Sequence, residues 1–86
     1  DMKNIEIYTG PLCAFCDRAI ALLNKKGVSF KKIDLASDPN KMEDMIKKTN
    51  GMRTVPQIFI DGLHIGGSDK LQDLENEGKL NSLLGV

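Results

Sequence analysis

The chain has 86 residues, enough for one small domain with a modest hydrophobic core. Its 12 basic and 12 acidic side chains give a formal net charge of zero, which argues against a protein held on nucleic acid by a strong basic field. No apolar run approaches the roughly 20 residues that cross a bilayer, so we expect no membrane association.

The sequence has no linker, repeat or low-complexity segment, so residues 1–86 are predicted to form a single domain. Two cysteines are too few for a secreted scaffold stapled by disulfides. This cysteine usage favours a reducing compartment, and we expect a cytoplasmic protein.

The first part of the chain predicts a strand, a helix and a second strand. Residues 3–8 are rich in strand-forming types, and the apolar spacing over 13–26 is helical, with Gly27 suited to the end of that helix. Residues 28–35 alternate well enough for a second strand. A crossover helix between two such strands forms a βαβ unit, so the two strands should be parallel.

Three further helices are predicted. Asp38-Pro39 is typical of a helix start and Asn50-Gly51 of a helix stop. Ser68 or Asp69 is suited to cap a third helix that closes near Gly78. A short final helix is indicated by Leu80, Leu83 and Leu84.

Two more strands are predicted between the second and third helices. Residues 57–60 form a short apolar run, and Asp61-Gly62 signals a tight hairpin turn. Residues 63–65 follow as the fourth strand, which ends at Gly66-Gly67. His64 should face away from its two apolar neighbours, and an exposed strand histidine is favoured over a catalytic base.

Cys13 and Cys16 are the chain's two cysteines, and they lie at the predicted start of the first helix. Only a thiolate attacks a disulfide, and the free N–H groups and dipole of a helix N-terminus stabilise negative charge there. Cys13 follows Gly10-Pro11-Leu12, so it should be exposed and act as the nucleophile. Cys16 lies one turn further on, and it should be more buried and resolve a mixed disulfide formed on Cys13.

The residues alone leave alternatives to this chemistry. Structural zinc needs four ligands, and two cysteines with one histidine would require a site shared between subunits. Both thiols could also be purely structural. Phe15, inside the motif, is either a core residue or an exposed ring beside the active thiol.

The sequence resembles a glutaredoxin, and it is most similar to the short bacterial dithiol members. The resemblance spans essentially the whole chain in the family's order and spacing, through residues 6–9, 13–16, 54–56, 57–61 and 65–69. It implies an α/β, thioredoxin-like fold with a four-stranded mixed sheet flanked by helices. It also implies a cis peptide bond between Val55 and Pro56.

The resemblance further implies a glutathione-dependent oxidoreductase that reduces protein disulfides and glutathione mixed disulfides through Cys13 and Cys16. Glutathione would be the co-substrate, and the partners would be disulfide-containing or glutathionylated proteins. We expect a monomer with no resident metal.

A groove for glutathione is implied at Phe15, Arg53, Thr54, Val55, Pro56, Gln57, Gly67, Ser68 and Asp69. The backbone of Val55 would pair with the cysteinyl part of the tripeptide, as in strand addition. Ser68 and Asp69, at a helix start, would hold the γ-glutamyl end. Arg53 and Gln57 would meet the glycyl carboxylate.

The chain departs from the family pattern at two places. Ala14 and Phe15 stand where the family usually has proline and tyrosine, and Gly10 stands where many members have lysine. Loss of the proline is associated in the family with an iron–sulfur cluster. The alternative function is therefore a carrier of a [2Fe-2S] cluster between two subunits, ligated by each Cys13 and by two glutathiones. A redoxin reduced by thioredoxin reductase is a third option, which Ser68-Asp69 disfavours.

Overall fold

The computed structural model describes residues 3–86, so Asp1 and Met2 of the predicted domain lie outside the described residues. The elements occur in the predicted order: β1 (Ile5–Thr9), α1 (Ala14–Lys25), β2 (Lys31–Asp34), α2 (Lys41–Lys48), β3 (Gln57–Ile60), β4 (Leu63–Gly66), α3 (Ser68–Asn76) and α4 (Leu80–Leu84). None of the helices in this part of the chain is long and apolar enough to span a membrane.

The four strands form one mixed sheet in the order β2-β1-β3-β4. β1 and β2 are parallel, with Glu6 opposite Lys31 and Thr9 opposite Asp34, which confirms the predicted βαβ unit. β3 runs antiparallel to both β1 and β4. The predicted fold class, a four-stranded mixed sheet flanked by helices, is confirmed.

Both faces of the sheet are covered, so the central strand β1 is buried on each side. Its alternate side chains, such as Ile7 and Tyr8, enter two different hydrophobic clusters and are no more than 1% exposed. The first cluster joins the sheet to α1, α3 and α4 and contains Ile5, Ile7, Ala19, Leu23, Ile58, Ile60, Leu71, Leu80 and Leu84. The second joins the other face to α2 and contains Tyr8, Ile33, Leu35, Met45 and Phe59.

A polar contact ties the end of α2 to the sheet. The ammonium of Lys48 donates a hydrogen bond of 3.1 Å to the Tyr8 hydroxyl, and its Nζ lies 3.8 Å from Oε1 of Glu6. The hydrogen bond to Tyr8 raises the pKa of Lys48 above its ordinary value. This lysine therefore keeps its positive charge to a higher pH than an ordinary lysine does.

The predicted start of the second helix is wrong. Asp38 and Pro39 form a turn ahead of α2, in which their carbonyls accept from the N–H groups of Lys41 and Met42. Asn40 is the N-cap and makes no side-chain cap hydrogen bond. The predicted stop is confirmed, because Asn50 and Gly51 take positive φ values of 58° and 104° just after the helix.

Two other boundaries differ from the sequence prediction. The second strand is shorter than residues 28–35, because only Lys31–Asp34 lie opposite β1. Neither Ser68 nor Asp69 caps the third helix: Gly67 is the N-cap, without a side-chain hydrogen bond, and both predicted caps lie inside the first turn. The carboxylate of Asp69 is still placed where the helix dipole favours negative charge.

Candidate active site

The two cysteines lie at the N-terminus of α1 and form a disulfide, with 5.2 Å between their Cα atoms. Cys13 is the N-cap, in an extended conformation, and its Sγ accepts a 3.1 Å hydrogen bond from the N–H of Cys16. Cys13 is half-buried, whereas Cys16 is 2% exposed. The predicted difference in exposure is therefore present, and the first turn of the helix contacts the sulfur that was predicted to react.

The loop before Cys13 packs closely on a second loop. A Cβ on Gly10 would lie 3.2 Å from Cγ2 of Val55, closer than side chains usually approach one another. Leu12 is fully exposed and takes a positive φ of 50°, which is uncommon for a branched residue. Gly10 thus allows the cysteine loop to lie against the segment that contains Val55.

That second segment holds the predicted cis peptide bond, between Val55 and Pro56, which is confirmed. The carbonyl oxygen of Val55 lies 3.9 Å from Sγ of Cys13. Because Pro56 is buried and Val55 half-buried, the backbone here is fixed against the protein and faces the sulfur.

An open groove of about 280 Å³ extends from this place to the start of α3, and it is lined by Phe15, Val55, Pro56, Gly67, Ser68, Asp69 and Lys70. Six of the nine predicted groove residues are among them. Phe15 is 51% exposed, with the guanidinium of Arg18 at 5.3 Å from its ring centroid, so it is the exposed ring and not a core residue. A Cβ on Gly67 would lie 3.4 Å from the Pro56 carbonyl oxygen, at van der Waals contact, so the start of α3 packs beside the cis proline.

The three other predicted groove residues do not line this groove. Arg53 and Thr54 are exposed beside it. Gln57 is only 1% exposed, and its amide nitrogen donates to the carbonyl oxygen and the hydroxyl of Thr54, at 3.1 and 3.2 Å. Its side chain is thus directed into the protein, where it supports Thr54.

Sequence reasoning missed Lys70, which brings a positive charge to the groove. Its place in the first turn of a helix, directly after Asp69, was a signal that could have identified it. The predicted exposure of His64 is wrong: it is half-buried, stacked on Phe59 at 5.0 Å between centroids and hydrogen-bonded to Gln57. It does face away from Leu63, as predicted, but Phe59 and Gln57 cover that face of the sheet.

A mixed sheet with a cysteine pair at the start of its first helix, opposite a cis proline, defines the thioredoxin-like thiol–disulfide oxidoreductases. Cys13 and Cys16 can exchange between dithiol and disulfide without a metal ligand set. Within residues 3–86, no group of three or more His, Cys, Asp or Glu side chains is placed to hold a metal ion.

The family model for glutaredoxin matches residues 5–65, and the chain belongs to the glutaredoxin family. Glutaredoxin 3 of Escherichia coli K12 is 52% identical over 83 residues, which cover 96% of this chain and 99% of the relative. The resemblance to glutaredoxins is thereby confirmed, and with it the general chemistry of thiol–disulfide exchange.

Two solved structures are also similar to this chain. A buckwheat glutaredoxin–glutathione complex superposes with a TM-score of 0.87 at 28% identity, covering 96% of this chain and 77% of the other. A structure described as "Metal Binding of Glutaredoxins" has a TM-score of 0.71 at 49% identity, covering 96% of this chain and 89% of the other.

Proposed function

We propose that this protein is a glutathione-dependent oxidoreductase that reduces protein disulfides and glutathione mixed disulfides. The observation that carries the proposal is the groove that joins the surroundings of Cys13 to the N-terminus of α3. A similar fold is solved with glutathione in the buckwheat protein. The groove is lined by Val55, close to Cys13, and by the first turn of α3, so it offers contacts to the centre and to one end of a tripeptide whose central residue carries the reacting sulfur.

Each end of glutathione has a matching group in the groove or beside it. The backbone of Val55, next to Cys13 Sγ, pairs with the cysteinyl peptide groups of the ligand. The first N–H groups of α3 donate to the γ-glutamyl carboxylate, and Lys70 adds positive charge there. The carboxylate of Asp69 pairs with the α-ammonium, and the exposed Arg53 is free to approach the glycyl carboxylate.

The reaction is a pair of sulfur exchanges. The Cys13 thiolate attacks the glutathionyl sulfur of a mixed disulfide, and the protein thiolate leaves and takes a proton. A glutathione thiolate then attacks that same sulfur, which releases glutathione disulfide and restores the Cys13 thiolate. For protein disulfides, Cys16 instead attacks the Cys13 sulfur and expels the bound thiol, which gives the Cys13–Cys16 disulfide seen here.

Serine variants of the two cysteines test this division of roles. In a glutathione-regenerating assay, Cys13→Ser should lose about 100-fold or more of the turnover of a glutathionylated peptide. Cys16→Ser should keep that turnover and lose the reduction of a protein disulfide. Normal turnover by Cys13→Ser, or the same behaviour of Cys16→Ser on both substrates, would contradict the assignment. Reduction of the protein by thioredoxin reductase in place of glutathione would instead indicate a redoxin that depends on that enzyme.

A carrier of an iron–sulfur cluster is the second candidate function, favoured by Ala14. This residue is the first of α1, where the family's usual proline would lack an N–H, and a similar structure is described by its metal binding. One chain supplies too few sulfur ligands, so a four-thiolate set needs a second copy and added glutathione. Cys13, the half-buried thiol, is the residue that would hold the group.

Iron content and visible absorption after anaerobic reconstitution with glutathione distinguish the two functions. The carrier function predicts a coloured dimer for the wild type, whereas Ala14→Pro should stay colourless and keep its reductase turnover. A colourless, iron-free monomer of the wild type would rule out the carrier function.

A further inference from the structure

Three side chains connect β4 to the segment that precedes the cis proline. Nε2 of His64 lies 2.7 Å from Oε1 of Gln57, and Nε2 of Gln57 donates to the carbonyl oxygen and hydroxyl of Thr54. The Thr54 carbonyl can only accept, so the Gln57 amide must present its nitrogen to it and its oxygen to His64. The histidine must therefore donate from Nε2, and the direction of every hydrogen bond in this His64–Gln57–Thr54 chain is determined.

The histidine end of this hydrogen-bonded series is fixed by packing. The His64 ring stacks on Phe59 with an interplanar angle of 28°, and Phe59 meets Tyr8 edge-on at 5.8 Å between centroids. Phe59 and Gln57 are 3% and 1% exposed. The stacking fixes the plane of the ring, and within that plane the contact with Gln57 selects the ring orientation that places Nε2 toward the amide oxygen.

The threonine end of the hydrogen-bonded series lies beside the groove. Thr54 is exposed and belongs to no helix or strand. Its backbone is therefore not held by the hydrogen bonds of the sheet. It directly precedes Val55, whose carbonyl oxygen lies 3.9 Å from Cys13 Sγ. The two hydrogen bonds from Gln57 thus anchor the residue before Val55, and they act together with the buried Pro56 to hold the Val55 backbone beside the reacting sulfur.

We propose that His64 is a positioning residue that determines the affinity for glutathione. Through Gln57 it holds the Thr54–Val55 backbone in register to pair with the peptide groups of the tripeptide. This inference rests on the proposed function. The proposal separates the affinity for glutathione from the reactivity of Cys13. The Cys13 sulfur is hydrogen-bonded by the N–H of Cys16, whereas the hydrogen bond of His64 goes to Gln57.

Two substitutions of His64 separate its hydrogen bond from its stacking. His64→Phe keeps a ring on Phe59 but lacks the N–H, which leaves the buried Gln57 oxygen without its donor. His64→Gln places an amide N–H near the position of Nε2 and should restore the bond. Leu63→Gln, on the exposed end of β4, is the matched control.

The kinetics should show a change in KM without a change in chemistry. We expect His64→Phe to raise the KM for a glutathionylated peptide about five- to ten-fold, since a buried acceptor loses its partner. Its kcat and the rate of alkylation of reduced Cys13 by iodoacetamide should stay within about two-fold. His64→Gln and Leu63→Gln should resemble wild type.

Several results would overturn the proposal. An unchanged KM in His64→Phe would do so, as would an equal rise in His64→Gln, because an amide N–H near the position of Nε2 would then fail to restore binding. Slower alkylation of Cys13 in His64→Phe would show that the histidine acts on the thiol. Where His64→Phe does not fold, Gln57→Met removes the middle link, and a wild-type KM there would equally refute it. Absence of glutathione-linked turnover in the wild type would refute both proposals. Normal turnover in the wild type with an unchanged KM in His64→Phe would refute only the role of His64.

Discussion

Thr9 shows how a single residue beside the cysteines departs from ordinary packing. It ends β1 on the same face as Ile5 and Ile7, the face that α1 covers, and it borders a small cavity shared with Cys16. The residue is 2% exposed. Its Oγ1 is a buried side-chain oxygen with no hydrogen-bond partner among residues 3–86.

Thr9→Val should therefore leave the protein as stable as before or more stable, by up to about 1 kcal/mol. Valine has the shape of threonine without the hydroxyl, whose burial without a partner is unfavourable. Urea unfolding of the oxidised protein measures the effect, with Thr49→Val as control. Thr49 donates its hydroxyl to the Met45 carbonyl at 2.8 Å, so its substitution should destabilise by about 1 kcal/mol. Destabilisation by Thr9→Val of the same size would contradict the prediction.

At the residue scale, the unequal burial of the two cysteines could be predicted from their position at a helix start, whereas the burial of His64 could not be predicted from its own strand. A helix N-terminus next to an exposed loop accounts for the unequal burial of Cys13 and Cys16. The face of His64 followed from strand alternation. Its burial depends on Phe59 and Gln57, which belong to another strand, so no pattern within residues 63–65 could reveal it.

At the scale of elements, α2 depends on one buried side chain. Met45 is the residue of α2 that is fully buried, among Tyr8, Ile33 and Phe59 on the second face of the sheet. Its helix is short and flanked by turns, so packing and not intrinsic propensity holds it in place.

Met45→Ala should lower the free energy of unfolding by about 2–4 kcal/mol, because it leaves a cavity between helix and sheet. Met42→Ala is the matched control, since Met42 lies on the same helix and is only partly buried. Denaturant unfolding followed by far-ultraviolet circular dichroism measures both. Equal losses in the two variants would show that Met45 does not anchor the helix.

The elements themselves were predictable from the sequence, but their ends were less so. Asp38 and Pro39 carry the composition of a helix start, yet their carbonyls close a turn instead. Similarly, Gly67 is the N-cap of α3 while Ser68 and Asp69 offer the better capping side chains. In both places the observed helix begins within two residues of the predicted start, which is the range over which helix ends fray.

At the scale of the whole molecule, the core extends beyond the part of the chain that matches the family model. The match ends at residue 65, while Leu71, Leu80 and Leu84 are buried with Ile5 and Ile7 in the first cluster. The two C-terminal helices thus pack into the same hydrophobic cluster as the central strand, and we expect them to unfold with it. The strand order β2-β1-β3-β4 was not predicted either, because pairing partners are distant in sequence and local patterns do not identify them.

Leu84→Ala should destabilise the whole domain by about 2–4 kcal/mol, despite its position near the C-terminus. Leu83→Ala, next to it and only partly buried, should cost clearly less. Native-state hydrogen exchange measures the reach of the effect. The amides of β1 should lose protection by the same free energy as global unfolding. Loss of protection in α4 alone would mean that this helix unfolds separately.

The sulfur of Cys13, the proposed reacting atom, is also the N-cap of α1, so each covalent change at that sulfur alters the end of a helix. A thiolate accepts the N–H of Cys16 more strongly than a disulfide sulfur does. The amide proton of Cys16 should accordingly exchange with solvent more slowly, and resonate further downfield, in the reduced protein. One backbone amide would then report the oxidation state of the protein in solution, with no added label.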